Sequence, residues 1–118
     1  MTFVDGFVIA VPTANKEKYR AMAESVAPLF KKHGALASVE VWGVDVPGGE
    51  VTSFPMAVKA TDDETVVFSW IVWPDKSARE AGNPAVMKEM EAMDMAAAEM
   101  PFDPKRMIFG GFEAIVSH

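Results

Sequence analysis

"ETVVFSWIVWP", Glu64–Pro74, is the stretch on which the fold turns. It is β-branched and aromatic and is stopped by a proline, which marks a strand. Side chains alternate across a strand, so Val67 and Ile71 point one way and Val66, Phe68 and Val72 the other. Both faces are therefore apolar. An antiparallel sheet with one face in water alternates apolar with polar instead.

The same test applied to the other strands gives the same answer. "FVDGFVIAVP", residues 3–12, sends Phe3, Phe7, Ile9 and Val11 to one face and Val4, Val8 and Ala10 to the other. "RMIFGGFEAIV", residues 106–116, opposes Met107, Phe109 and Ile115 to Ile108, Phe112 and Val116. "ALASVEVWGVDV", residues 35–46, supplies a further strand, followed by a turn at "PGGE".

Two helical stretches lie between these strands. From Tyr19 the apolar positions Met22, Ala23, Val26, Leu29, Phe30 and His33 follow the three–four spacing of one helical face. Asn15 is the expected N-cap and Gly34 the stop, with Pro28 bending the helix between them. Residues 75–100 form the second helical region, with Ser77 and Glu80 in a capping-box pattern and a kink or split expected at Asn83–Pro84. Ser53 is positioned to cap a short helical turn through Lys59, with Pro55 in its first turn.

The order β-α-β-β-α-β predicts an α+β, ferredoxin-like domain: four antiparallel strands, the first and third central, with two main helices on one face. Two helices cover one face only. A second copy of the chain, packed sheet on sheet, is the expected cover for the other, which makes the protein a homodimer. The adjacent glycines Gly110 and Gly111 point to opposite faces, so each marks a place where something approaches the backbone closely, or a bulge.

Composition bounds the function. The 118 residues suit one domain, 1–118, and half of them are hydrophobic, which excludes disorder. The net charge of −6, with no basic stripe, argues against nucleic acid. There is no cysteine, so no disulfide or thiolate chemistry is available, in keeping with a cytoplasmic protein. No apolar run approaches the length of a membrane span, and the N-terminus reads as a strand rather than a signal peptide.

Chemistry-bearing residues are sparse. Of the two histidines, His118 is terminal and His33 suits the end of a helix, where a cation complements the dipole. No metal motif or nucleophilic triad can be assembled, so neither metal nor cofactor is expected. The methionines Met87, Met90 and Met93 read as core packing. The polar residues on or beside the strands are Asp5, Glu40, Trp42, Asp45, Ser69, Trp70 and Arg106. Trp42 and Trp70 are expected to be mostly buried. A ligand site would gather Asp5, Glu40, Trp42 and Arg106, with Tyr19 at its edge. A carboxylate among apolar neighbours makes a base, and a guanidinium suits a carboxylate. The opposing expectation for Arg106 is a structural ion pair to Asp103 or Glu113.

The blocks "FVDGFVIAVP", "NKEKY", "VEVWGVDVPGG", "ETVVFSWIVWP" and "PFDPKRMIFGGF" resemble those of the YbaA-like family of small bacterial proteins of unknown function. The likeness runs over nearly the whole chain. It departs at "MKEMEAMDMAAAEM", where a Pro-Arg turn after the second helix is expected. The resemblance implies the dimeric α+β barrel, in which two ferredoxin-like sheets close on each other. It implies no activity. Two function classes stay open: a binding protein holding a small molecule between sheet and helices, or a cofactor-independent enzyme of oxygenase or isomerase type on the same scaffold.

Overall fold

A computed structural model describes residues 1–93 and 100–118. Its strands are β1 (Phe3–Pro12), β2 (Ala37–Trp42), β3 (Glu64–Trp73) and β4 (Ile108–Glu113). Its helices are α1 (Lys16–Lys32), the short α2 (Phe54–Ala57) and α3 (Lys76–Ala92). The strands form one antiparallel sheet in the order β2-β3-β1-β4, with β1 and β3 central as expected. This is the ferredoxin-like arrangement.

Both central strands begin and end where their sequence signals do. The outer strands are shorter than their apolar runs. β2 stops at Trp42 because Gly43 closes the ladder with one bond to the Val66 carbonyl at 2.8 Å, after which Val44 stands in solvent. Asp45 consequently lies beyond the strand. β4 starts two residues after Arg106, which instead ends a single 3₁₀ turn, Pro104–Arg106.

The caps are partly those expected. Gly34 terminates α1 at φ 109°, a conformation that favours glycine. Asn15 precedes α1 without capping it; its side-chain amide donates to the Pro101 carbonyl at 3.0 Å and ties the helix start to the chain before β4. Asp75, not Ser77, caps α3, accepting from the Ala78 amide at 2.8 Å. Ser53 caps α2 as expected.

Pro84 neither splits nor ends α3, which runs through it to Ala92. A proline forfeits one helical bond, here to the Glu80 carbonyl. The burial of Gly82 and Val86 against the sheet holds the helix on both sides of that gap. Met93 caps the helix, and the rest of the methionine–alanine segment, residues 94–99, lies outside the described residues.

One face of the sheet carries Phe3, Phe7, Ile9, Val67, Ile71 and Trp73, on which α1 and α3 pack through Tyr19, Val26, Phe30 and Val86. The opposite face is not wholly bare. The segment around α2 folds under one end of it, and Val58 packs there on Val8, Ala10 and Val66. The expectation that the chain has nothing to cover this face is thus corrected for that end. The remainder stays open: Phe68, Ile108 and Phe112 are exposed, and with Val4, Val8 and Trp70 they border a shallow apolar concavity of about 620 Å³.

The adjacent glycines are explained by two phenylalanines. A Cβ on Gly111 would stand 2.6 Å from the Phe3 ring on the helix side. Gly110 lies opposite Gly6, and the Phe112 ring lies against both on the open side.

Candidate functional site

Register places the polar cluster. Glu40 on β2 is opposite Ser69 on β3, which is opposite Phe7 on β1. All three therefore face the helices. Tyr19, in the first turn of α1, comes down onto the same row. Its hydroxyl donates to Glu40 Oε1 at 2.5 Å, and Ser69 Oγ donates to Oε2 at 2.9 Å. Each carboxylate oxygen thus holds one hydrogen bond, the one from Tyr19 being short.

The electrostatics follow from the surroundings. Partial enclosure pushes the Glu40 carboxyl above its usual range, and the two hydroxyl bonds offset part of that. Glu40 sits on an edge strand and remains exposed as a residue, so water screens part of the effect. Tyr19 is 4% exposed; its burial, and then the Glu40 charge, push its hydroxyl well above the ordinary phenol range. Tyr19 is therefore a permanent donor and Glu40 the group that titrates.

Two cavities meet at this pair. The inner one, about 230 Å³, lies between α1, α3 and the sheet. Its polar residues are Tyr19, Ser38, Glu40 and Ser69; the rest of its wall is apolar, with Phe7, Phe30 and Phe102 and five methionines, Met22, Met87, Met90, Met100 and Met107. The outer one, about 340 Å³, lies between α1 and β2 and is bordered by Lys16, Arg20 and Trp42. Tyr19 and Glu40 line both.

Of the five residues expected to share a site, the structure brings together three. Tyr19 and Glu40 are hydrogen-bonded, and Trp42 stands two residues along β2, half-buried, with the Lys16 ammonium 5.4 Å from its ring centre. Tyr19 is at the centre of the cluster rather than its edge. Asp5 is elsewhere on the same face. It is 5% exposed, accepts from Trp73 Nε1 at 3.0 Å, and pairs with Arg79 on α3 at 3.2 Å. Arg106 is turned to the far end of the sheet. Its guanidinium grips Glu64 in a bidentate pair at 2.7 and 2.6 Å, bonds Asp103 at 3.2 Å, and donates to the Lys59 carbonyl. Asp103 was one of the two expected partners; Arg106 takes Glu64, which was not expected, rather than Glu113.

Trp42 and Trp70 are half-buried rather than mostly buried. Both flank the open parts of the sheet, β2 being an edge strand and Trp70 facing the uncovered side. The fully buried indole is Trp73. Sequence reasoning also passed over Ser69 as a site member. The signal was present: a serine between Val67 and Ile71 on an otherwise apolar face needs a polar partner.

The fold and this cluster define a ferredoxin-like α+β protein with a largely apolar cavity that has a carboxylate in its wall. The chain belongs to the family described as proteins of unknown function, DUF1428, which it matches over residues 2–104. It is 54% identical over 116 residues to the uncharacterized protein YbaA of Escherichia coli K12, covering 98% of each chain, and equally so to YbaA of Shigella flexneri. Among solved structures it is similar to a mutant form of SnoaB, a cofactor-independent oxygenase from Streptomyces nogalater, with TM-score 0.53 and 17% identity over 98% of this chain and 93% of that one. At that identity the likeness is one of fold. Among the described residues, no helix is long and apolar enough to cross a membrane.

Proposed function

We propose that this chain binds a small organic molecule in the inner cavity, and does so as a homodimer joined through the open face of the sheet. The observation that carries the binding reading is the Glu40–Tyr19–Ser69 cluster at one end of an otherwise apolar space. Convergent polar groups in an apolar concavity are what orient a ligand. In this reading Tyr19, Glu40 and Trp42 belong to the site, while Asp5 and Arg106 hold the frame through their ion pairs.

The homodimer rests on the exposed Phe68, Ile108 and Phe112. A contiguous apolar patch on a sheet is rare in a monomer, and a twofold pairing of like sheets is the simplest way to cover it. The same reading takes the chain as one domain working in the cytoplasm, in keeping with its lack of cysteine.

A cofactor-independent enzyme is the second reading. Glu40 favours it: a carboxylate whose affinity for a proton is raised by enclosure can take a proton from a bound substrate. The described function of SnoaB is in line with this, through fold alone.

Thermal-shift screening of the wild type and Glu40→Gln against a metabolite collection tests the binding reading, with turnover and oxygen-uptake assays on each hit. Hits whose stabilising shift depends on Glu40 support it. Hits that are also converted favour the enzyme. A screen that gives no hit, or only hits that leave the NMR signals of the cavity's methionine methyls unmoved, removes the site.

A further inference from the structure

Resting on the reading of the inner cavity as a ligand site, we infer that it takes a small organic cation: a protonated amine carried on an apolar, one-ring body, with the ammonium at Glu40.

Among the described residues, the lining of the inner cavity contains no lysine, arginine or histidine. Among the described residues no cation pairs with Glu40, whereas Asp5, Glu64, Glu89 and Asp103 all have one. A partly enclosed carboxylate without a counter-ion is unfavourable, and a ligand that brings the positive charge removes that cost. An anionic ligand in the inner cavity would meet Glu40 with no cation among the described lining residues to neutralise it. Both Glu40 oxygens already accept one hydrogen bond, so each keeps a lone pair for an ammonium, which has only donors to offer.

The rest of the wall fits the same ligand. Phe7, Phe30, Phe102 and Tyr19 present aromatic rings, which attract a cation through their faces. The five methionines are adaptable and pack on an aromatic body. The size is limiting: 230 Å³ equals about eight water volumes, room for one ring and a short chain. The outer cavity differs, because Lys16 and Arg20 border it and repel a cation.

Three probes of one shape separate the charge classes: 2-phenylethylamine, 2-phenylethanol and phenylacetate. Binding to the full chain is measured by calorimetry near neutral pH, and located by NMR of labelled methionine methyl groups. The expected result is that the amine binds about tenfold more tightly than the alcohol, that phenylacetate does not bind, and that the methyls of Met22, Met90 and Met107 shift. Glu40→Gln then removes the amine's advantage, bringing the affinities of amine and alcohol within about twofold of each other. Calorimetry of the wild type near pH 5, in buffers of different ionisation enthalpy, gives a second measure that needs no variant: the amine expels a proton from Glu40 and the alcohol does not. If the alcohol or phenylacetate binds as well as the amine, or the amine's advantage survives in Glu40→Gln, the cation is wrong and the cavity reading stands. If no probe moves the methionine methyls, both fall.

Discussion

Trp73, fully buried, donates its indole N–H to the carboxylate of Asp5 across the β1–β3 pair at 3.0 Å. Arg79 reaches the same carboxylate from α3. Asp5 therefore joins sheet to helix. Asp5→Ala leaves a buried N–H and a guanidinium without their acceptor, and is expected to cost about 3 kcal/mol. Asp5→Asn retains an acceptor for Trp73 and costs less. Urea unfolding of both variants checks the order; equal losses would show that the charge on Asp5 carries the whole effect.

Gly111 and Gly110 are expected to behave differently although they are adjacent. A Cβ on Gly111 would press 2.6 Å from Phe3 Cζ, and that ring is held in the core. Gly111→Ala should destabilise by about 1–3 kcal/mol, the range for overpacking. The Cβ of Gly110→Ala meets the Phe112 ring at 3.5 Å, an ordinary contact, so its change stays within about 0.5 kcal/mol. Denaturation midpoints of the two alanine variants measure the difference.

The contrast between these residues shows what the sequence carries and what it does not. Alternation in β1 and β3 announces two apolar faces, because a strand writes its sidedness directly into its order of residues. Strand order follows from the β-α-β-β-α-β succession. Parity also puts Glu40 and Trp42 on one face. Pairing across distant segments is not written locally. That Arg79 would take Asp5, and Glu64 would take Arg106, depends on helix placement and on the 3₁₀ turn that carries Arg106 off the strand. Ser69 joins the Glu40–Tyr19 cluster only because the β2–β3 register sets it opposite Glu40.

Phe112 is the exposed ring on the open side of β4, 63% exposed and seated over Gly6 and Gly110. Sedimentation at micromolar concentration should give twice the 12.8 kDa chain mass for the wild type and a single chain for Phe112→Asp, since a charge cannot be buried unpaired between two sheets. A wild type that sediments as one chain removes the dimer.

Glu64 and Arg106 should set part of the acid response. The Arg106 hydrogen bonds hold the Glu64 carboxyl down at about 2, against an ordinary 4.5. A depressed carboxyl stabilises the fold above its unfolded value and loses that contribution as pH falls through its folded one. Wild-type melting temperature is therefore expected to decline between about pH 4.5 and 2. Glu64→Gln should flatten that segment of the curve. An unchanged acid slope in this variant would place the titrating groups elsewhere.

Glu40 should act with the opposite sign. Its enclosure raises the folded carboxyl above the unfolded value, so the folded state holds the proton more firmly. The contribution of such a group is full below the unfolded value and is lost as pH rises through the folded one. Where the carboxyl is ionised, the folded protein thus carries a charge that its surroundings compensate poorly. Glu40→Gln keeps an acceptor for the Tyr19 hydroxyl, and its amide can donate to Ser69 Oγ if that hydroxyl turns. Its melting temperature at pH 7 should therefore match or exceed the wild type's, and the difference should shrink toward pH 4. Two melting curves across that range decide the matter. A variant that is weaker than the wild type at pH 7 and closest to it in acid would mean that the Tyr19 and Ser69 bonds to the charged carboxylate outweigh its enclosure.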